Sequence, residues 1–446
     1  MPKTDRPNVL FFFADQQRWD TCGCYGQELP VTPNLDAVAA EGVRFECAFT
    51  CQPVCGPARA CLQTGKYATE VGCFRNHTSL PVHENTIAKL ASAAGYETAY
   101  VGKWHLASDD EHNLRDKPVP PERRGGWKEY WVASDVLEFT SHPFEGHLFN
   151  AAGERVDFGG YRVDRVTDFA LDYLHRRDRS RPFFMMVSHI EPHHQNDLNR
   201  YVGPHGSREM FAHYRVPGDL EGNPGDWQEN FPDYLGCCWA LDRNLGRIRA
   251  ELDRLGILDN TLILYTADHG SHFRTRNSEY KRACHDGCIR IPMVVRGPGF
   301  RGGRVVSDEL ASLIDVPPTL LAATGIGVPQ AMRGRPLQQL AGGAPGDWPQ
   351  EAFLQISESQ VGRAIRTKRW TYSVSAPGLD GWKVPSSDHY VEEYLYDNAA
   401  DPHQLNNLVR EPSLDDVRAG LAATLRRRMV EAGEREPVIE TARYIS

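Results

Sequence analysis

Apolar segments alternate with amphipathic segments along most of the chain. Residues 8–14 form an almost continuous apolar run, the pattern of a strand that is buried on both faces of a parallel sheet. Shorter apolar runs of the same kind lie at residues 98–101, 183–188, 261–266 and 291–295. We therefore predict a strand at each of these positions.

Between these runs, apolar side chains recur at every third or fourth position, which is the period of a helix with one buried face. The longest such stripe contains Tyr234, Cys238, Leu241, Leu245, Ile248, Leu252 and Leu255. Further helices are predicted after Thr32-Pro33 and at residues 85–94, 163–174 and 317–324. Helices that alternate with buried strands indicate an α/β fold, a large, mainly parallel, doubly wound sheet flanked by helices.

The amino-acid composition of the chain changes after Pro336. Residues 342–346 are rich in glycine and resemble a linker, and short strand-like runs follow at 352–356, 363–365 and 370–374. An amphipathic, arginine-rich helix is predicted at 413–432. We therefore divide the chain into a main domain, residues 1–340, and a smaller C-terminal α+β subdomain, residues 341–446, with short antiparallel strands and a terminal helix.

The net charge and the cysteine content exclude some classes of function. The 446 residues include 50 Lys and Arg against 59 Asp and Glu, a net charge of −9, which argues against nucleic acid as a partner. The apolar run near the start is too short to span a bilayer and has no cleavage-site pattern after it, so we expect a cytoplasmic protein without a membrane partner. Eleven cysteines without the spacing of a secreted disulfide framework are expected to be mostly reduced.

Polar side chains follow four of the predicted strands. The carboxyl ends of parallel strands share one edge of a sheet, where open α/β sheets bind their ligands. The residues concerned are Asp15 and Gln16, Lys103 and His105, His189 and His193, and Asp268 and His269. Oxygen ligands from separate strands suit Ca²⁺ or Mg²⁺, and the nitrogen of His269 moves the preference toward Mn²⁺. Alternatively, each aspartate caps the helix or turn that follows it.

The segment 51–65 contains the most specific local pattern. Pro57 suits the first turn of a helix and leaves Cys55 just ahead of the helix N-terminus, where free N–H groups attract anions. Arg59 adds a fixed positive charge for an oxyanion. The pattern predicts a nucleophile beside an anion site, or alternatively a buried cysteine in front of a helix that begins with proline.

Together with Thr64-Gly65, the motif Cys55-x-Pro57-x-Arg59 resembles the signature of the sulfatase family, a branch of the alkaline phosphatase superfamily. Further agreements occur in the family's order over nearly the whole chain. They are Asp15-Gln16, Gly102-Lys103-Trp104-His105, Pro192-His193, Asp268-His269-Gly270, Lys281, Gly287-Cys-Ile-Arg290-Ile-Pro292, Leu395-Tyr396-Asp397, Asp401-Pro402 and Asn407-Leu408.

The resemblance implies an alkaline phosphatase-like fold and the hydrolysis of a sulfate ester, with a sulfated small molecule or saccharide as substrate. In such enzymes a maturation enzyme oxidises the motif cysteine, here Cys55, to formylglycine. One hydroxyl of its hydrate attacks sulfur, and the other later loses its proton to expel the sulfate. The resemblance also implies one divalent metal, with Ca²⁺ as the first choice and Mn²⁺ or Mg²⁺ as alternatives. Its ligands by similarity are Asp15, Gln16, Asp268, His269 and the modified Cys55.

The remaining site residues receive their roles from the same resemblance. Arg59 and Lys103 would steady the aldehyde hydrate, and His105 would be the base for sulfate release. His193 and Lys281 would bind the sulfate and help to protonate the leaving oxygen, a form of catalysis worth about 10²–10⁴-fold. His189 and His194 are alternatives for His193, and His285 in the unusual turn after Lys281 has no assigned role.

Two positions depart from the family's common pattern. Gln16 stands where many relatives have a second aspartate, and His269 where many have asparagine, which makes the metal site less negative by about one charge. The same variant occurs in relatives that cleave phosphonate monoesters or phosphodiesters. A phosphonate or phosphodiester hydrolase on the same scaffold, and a catalytically silent binding homologue, therefore remain as alternatives.

Substrate specificity is expected from loops around the sheet edge. They are residues 74–77, His272, Arg274 and Arg276 after the metal motif, and the long 131–150 insertion. Arginine and histidine there could pair with a second anionic group of a sugar, or could be solvated loop residues. The acidic net charge favours a small or trimmed carbohydrate fragment over a highly sulfated polymer.

Overall fold

The computed structural model describes residues 6–442, which form a large mixed sheet flanked by helices and a second, smaller sheet. The strands are β1 Asn8–Asp15, β2 Val43–Phe49, β3 Glu97–Lys103, β4 Tyr130–Ser134, β5 Ser141–His142, β6 Glu145–Asn150, β7 Arg155–Gly159, β8 Phe183–Pro192, β9 Thr261–Ala267, β10 Met293–Arg296, β11 Arg304–Ser312, β12 Glu351–Ile356, β13 Gly362–Thr367, β14 Trp370–Ser375, β15 His389–Asp397 and β16 Val438–Glu440. The α-helices are α1 Pro33–Glu41, α2 Cys55–Thr64, α3 Ala68–Val71, α4 Ile87–Ala93, α5 Leu137–Thr140, α6 Arg162–Arg176, α7 Ser207–Met210, α8 Trp227–Arg254, α9 Asp286–Ile289, α10 Val316–Ala323, α11 Gln338–Ala341 and α12 Asp415–Glu431.

The centre of the large sheet is parallel, as the alternation of helices and strands predicts. Its strand order is β11-β2-β10-β9-β1-β8-β3-β4-β6-β5, with β7 paired to β6. The run β9-β1-β8-β3-β4 is parallel throughout, and antiparallel pairs occur only toward the two sides of the sheet. Every residue of β1 is buried, because helices cover both faces of a parallel sheet. The α/β class with a mainly parallel doubly wound sheet is therefore confirmed.

The sides of the large sheet differ from the prediction. The 131–150 insertion was expected as a loop, but it contains β4, α5, β5 and β6, and β6 forms a hairpin with β7. The strands β2 and β11 lay outside the predicted set. Both carry charged side chains between apolar ones, and β11 is half exposed, so neither forms the continuous apolar run that marks a central strand.

The smaller sheet belongs to the C-terminal part of the chain. Its strands β12 to β15 pair antiparallel in sequence order, and β16 adds in parallel to β15. An apolar cluster that includes Phe49, Cys288, Leu310 and Leu354 joins this sheet to the larger one. Among residues 6–442, no helix combines the length and apolar character needed to cross a membrane.

Candidate active site

The carboxyl ends of four parallel strands bring most of the predicted site residues to one edge of the large sheet. The register between β1 and β9 places Asp15 beside Asp268, the residue that follows β9. On the other side of β1 lies β8, followed by β3, so His193 and Lys103 reach the same edge. Parallel pairing thus collects side chains that are far apart in the sequence.

Four side chains of ligand type form a buried cluster at this edge. One potential ligand atom from each of Asp15, Cys55, Asp268 and His269 lies within 4.8 Å of the others. His269 Nδ1 lies 2.9 Å from the carbonyl oxygen of Gly270 and donates to it, which leaves the Nε2 lone pair free. Nε2 lies 3.3 Å from Cys55 Sγ and 3.6 Å from Asp268 Oδ1. This arrangement can hold a divalent cation.

Gln16 offers a further oxygen to the cluster. Its backbone N–H donates to Asp268 Oδ1 over 2.9 Å, and its side-chain Nε2 donates to the Tyr201 hydroxyl over 2.7 Å. The amide oxygen Oε1 is buried without a hydrogen-bond partner among the described residues, as is Asp268 Oδ2. Buried acceptors without a donor are costly, and a cation would satisfy both. The residues present therefore fit a divalent metal.

The two carboxylates of the cluster differ in their electrostatics. Burial raises the pKa of Asp15, but Lys103, His193 and Arg59 outweigh it and hold that pKa well below its usual range. Burial and the negative charge of Asp15 raise the pKa of Asp268 to about 7. Two buried carboxylates at this separation are ionised together only when positive charge compensates them.

Cys55 is the first residue of α2 and lies inside the cluster, whereas the sequence placed it just ahead of the helix. Its Sγ lies 3.2 Å from Asp15 Oδ1 and 2.8 Å from Lys281 Nζ. Burial and the charge of Asp15 raise the pKa of the Cys55 thiol to about 12. With these neighbours the side chain is a protonated thiol, which is a poor nucleophile.

Arg59 and Lys103 both contact the Asp15 carboxylate. Arg59 donates to Asp15 Oδ2 over 3.0 Å, and also to the Lys103 carbonyl and the Ser188 hydroxyl. Lys103 Nζ lies 3.0 Å from Asp15 Oδ2 and 3.2 Å from Glu138 Oε1. Asp15, Arg59, Lys103 and Ser188 are buried, so the positive charges are fixed in place before any substrate binds.

His105 is presented by the loop that follows β3. The Asp135 carboxylate accepts hydrogen bonds from the backbone N–H groups of Leu106, Ala107 and Ser108 and from the Ser108 hydroxyl, which pins this loop. Burial and the charge of Lys103 lower the pKa of His105 well below its usual range, so its imidazole is neutral. Asp135 was not predicted, although it lies in the inserted segment.

Of the three candidate histidines, His189 in β8 and His193 and His194 directly after it, the structure places His193 beside Lys281. His193 Nδ1 lies 2.6 Å from the His194 carbonyl, and Nε2 lies 3.2 Å from Lys281 Nζ. Burial and the charge of Lys281 lower the pKa of His193. His194 reaches the same cavity and contacts the Tyr280 ring, whereas His189 packs on Phe12 under the sheet edge.

A cavity of about 240 Å³ opens above the cluster. Its walls are Cys55, Asn76, His77, His105, Val136, Glu138, Phe139, His193, His194, Asn196, Glu279, Lys281, Arg282 and Trp382. Asn76, His77 and the 131–150 insertion were expected there. Glu138 was missed as an individual residue, and Trp382 comes from the C-terminal part, where no local signal indicates a role.

Three residues expected around the cavity lie elsewhere. His272 is buried, with Nε2 directed at the Lys281 carbonyl, and Arg274 stacks on the Tyr280 ring. Arg276 donates to the carbonyl of His403 and lines a separate cavity. None of the three is among the residues that line the cavity. His285, whose Nε2 lies 3.0 Å from the Tyr396 hydroxyl, lines that same separate cavity.

Comparisons with known proteins agree with this geometry. The family model described as Sulfatase matches residues 7–326, and that of the N-sulphoglucosamine sulphohydrolase C-terminal region matches residues 278–431. An ulvan-active sulfatase of Formosa agariphila is 30% identical over 96% of this chain and 82% of its own length. An N-acetylglucosamine-6-O-sulfatase of Bacteroides thetaiotaomicron is 27% identical over 91% and 83%.

A solved structure extends the agreement to three dimensions. A chain from Bacteroides fragilis described as the sulfatase yidJ superposes with a TM-score of 0.84 at 25% identity and covers 97% of both chains. The matches thus include both sheets and the edge that carries the cluster. The chain belongs to the sulfatase family of the alkaline phosphatase superfamily, and it is a sulfuric ester hydrolase.

Proposed function

We propose that this protein hydrolyses the sulfate ester of a carbohydrate or another organic alcohol through a formylglycine derived from Cys55 and one divalent cation. The observation that carries the proposal is the position of Cys55 Sγ, which lies in contact with the metal-type cluster on one side and with Lys281 Nζ on the other. A tetrahedral anion bound beside residue 55 would meet positive charge on both sides. The relatives that act on ulvan and on N-acetylglucosamine-6-sulfate support a sulfated saccharide as substrate.

The cation would be held by Asp15, Gln16, Asp268, His269 and the modified residue 55. This donor set is mostly oxygen, which supports Ca²⁺ as the first choice, with Mn²⁺ or Mg²⁺ as alternatives because of the imidazole. The bound cation would supply positive charge that stabilises the transferring oxyanion and lowers the pKa of a nearby hydroxyl. The formylglycine hydrate would supply the hydroxyl that attacks sulfur.

The chain's own residues would orient and protonate the reacting groups. Arg59 and Lys103, fixed by Asp15, hold positive charge beside residue 55. Neutral His105 can accept the proton that is lost when sulfate is released. Lys281 and His193, joined over 3.2 Å, can bind the sulfate and deliver a proton to the leaving alcohol oxygen.

We also propose the division into a catalytic domain, residues 1–340, and a C-terminal subdomain, residues 341–446. The separate five-stranded sheet formed by β12 to β16 supports this boundary. Because Trp382 lines the cavity, the C-terminal subdomain would contribute to the substrate site.

Co-expression with a formylglycine-generating maturation enzyme tests the proposal. Mass spectrometry of the peptide that contains residue 55 should show loss of sulfur, and the protein should release sulfate from 4-nitrophenyl sulfate and from sulfated monosaccharides. Protein that keeps its thiol should be inactive and serves as the matched control. Oxidised protein without any hydrolytic activity would instead support a silent binding homologue.

The variant pair Gln16 and His269 favours one second candidate, a phosphonate monoester or phosphodiester hydrolase. The same preparation should therefore be assayed with 4-nitrophenyl phenylphosphonate and bis(4-nitrophenyl) phosphate. We expect kcat/KM to be higher for the sulfate ester. A clear preference for the phosphonate or the diester would replace the proposal with the second candidate.

A further inference from the structure

The active-site cavity contains a carboxylate that the proposed mechanism does not use. Glu138 lies in α5 with its side chain only 5% exposed, and its Oε1 is 3.2 Å from Lys103 Nζ. Its other oxygen, Oε2, is buried and has no hydrogen-bond partner within residues 6–442. The side chain nevertheless lines the cavity together with Cys55, His193 and Lys281. An unpartnered carboxylate oxygen in this place requires a donor from outside the protein.

The charge of Glu138 restricts what that donor can be. The cavity is built for an anionic ester, so a carboxylate at the wall repels any part of the substrate that is itself negative. Lys103 contacts both Asp15 and Glu138, which places Glu138 next to the ester site. The group that meets Oε2 therefore carries no negative charge, has an O–H or N–H donor and lies close to the sulfated carbon. A ring hydroxyl of a sugar meets all three conditions.

We infer that Glu138 is a specificity-determining residue whose Oε2 accepts a hydrogen bond from a ring hydroxyl neighbouring the sulfate ester. The inference rests on the proposed function and deepens it. The preferred substrate is a monosaccharide unit with one sulfate and a free hydroxyl beside it. A sugar with a second sulfate or a carboxylate at that position is rejected, because its charge would meet Glu138 in a buried site.

A purely structural role makes a different prediction. If Glu138 only held Lys103 in place, its loss would affect every substrate equally, since Lys103 serves the common ester site. If Oε2 binds a substrate hydroxyl, the loss depends on whether the substrate carries that hydroxyl. A hydrogen bond to a charged acceptor accounts for about 10-fold or more in kcat/KM.

The test uses the formylglycine-containing enzyme and the monosaccharide monosulfate that it hydrolyses fastest. Wild type is compared on this sugar, on analogues that each lack one ring hydroxyl, and on analogues with a second sulfate. We expect one deoxy analogue to lose at least about 10-fold in kcat/KM. Glu138→Gln should reduce that discrimination to less than about 3-fold and should improve turnover of the disulfated analogue relative to the parent.

Glu122→Gln, at an exposed position outside the cavity, is the matched control and should keep the wild-type discrimination. Equal losses of Glu138→Gln on all sugars and on 4-nitrophenyl sulfate would overturn the inference in favour of a positioning role. If Glu138→Gln fails to fold in a thermal melt, the wild-type panel decides, because uniform rates on all deoxy analogues overturn the inference. Absence of sulfate release even from 4-nitrophenyl sulfate would instead mark failure of the proposed function.

Discussion

Replacing Asp268 with asparagine should raise the stability of this protein in EDTA and should remove most of its stabilisation by calcium. Asp268 Oδ1 accepts backbone hydrogen bonds from Gln16 and His269, and these bonds survive in Asp268→Asn. Oδ2 has no hydrogen-bond partner within residues 6–442, with the Arg59 guanidinium 3.7 Å away, and it becomes an amide group that cannot ligate a cation. The substitution therefore removes the charge and one metal ligand but leaves the backbone contacts.

The sign in EDTA follows from the pKa. Burial and Asp15 raise the pKa of Asp268 to about 7, above its value in the unfolded chain, so ionisation costs folding free energy. Wild type should lose stability as pH rises from about 4 to 7, by at most about 1.4 kcal/mol per pH unit from this group, and the loss should level off above pH 7. Asp268→Asn should lack that contribution and be more stable than wild type at pH 8 in EDTA.

Calcium should stabilise wild type more than Asp268→Asn and so reduce the difference between them. A cation present at about 100 times its Kd stabilises the folded state by about 2.7 kcal/mol. An unfolding entropy of about 2.1 cal/mol/K per residue gives about 0.9 kcal/mol/K for the 446 residues, and hence a rise in Tm of about 3 °C. Wild type should show this rise, and Asp268→Asn should lose most of it.

Differential scanning calorimetry at pH 6, 7 and 8, with EDTA or with titrated Ca²⁺, Mn²⁺ or Mg²⁺, measures both effects. Asp116→Asn, at an exposed position, is the control and should follow wild type. The reasoning is refuted if Asp268→Asn is less stable than wild type in EDTA at pH 8. It is equally refuted if the variant keeps the full response to the cation.

Three further predictions concern other parts of the site. Cys55→Ala should abolish sulfate release and keep a cooperative thermal transition within a few degrees of wild type; loss of cooperative unfolding would show that the residue serves packing instead. Asp135→Asn should lower the free energy of unfolding, measured in urea, by about 2–4 kcal/mol and should also reduce kcat. The new amide NH2 group would face the N–H and hydroxyl donors of Ser108, in the loop that presents His105. Trp382→Ala should raise KM for a sulfated sugar about 10-fold with little change in kcat. The reason is that the half-exposed indole lines the cavity, where the Arg282 guanidinium lies 5.5 Å from the centre of its ring. An unchanged KM in steady-state assays would argue against a substrate contact.

Much of the fold and of the cluster could be predicted because both depend on short-range patterns. A continuous apolar run such as β1 marks a central parallel strand, and the polar residue at its end, Asp15, follows from the local sequence alone. Parallel strands end at one edge, so Asp15, Lys103, His193 and Asp268 were expected to meet there. The segment that contains Cys55 and Arg59 was specific enough to indicate the family.

The walls of the cavity could not be predicted in the same way. Glu138 reaches the site because α5 connects β4, the neighbour of β3, to β5, and Trp382 reaches it because the smaller sheet packs on the larger one. Arg274 and Arg276 were expected there because they closely follow Asp268 in the sequence. The direction of a turn decides where such residues lie, and a turn leaves little trace in the hydrophobic pattern.

The amino-acid sequence by itself determined which chemical groups this protein brings to its sheet edge, because hydrophobic period and parallel strand order require only local information. Which groups surround the organic part of the substrate was decided by the tertiary structure, because contacts between distant segments depend on how whole elements pack. The acidic wall formed by Glu138 and the aromatic one formed by Trp382 are of this second kind. The reaction chemistry can therefore be inferred from the sequence, whereas the residues that select the substrate can be identified only in the folded structure.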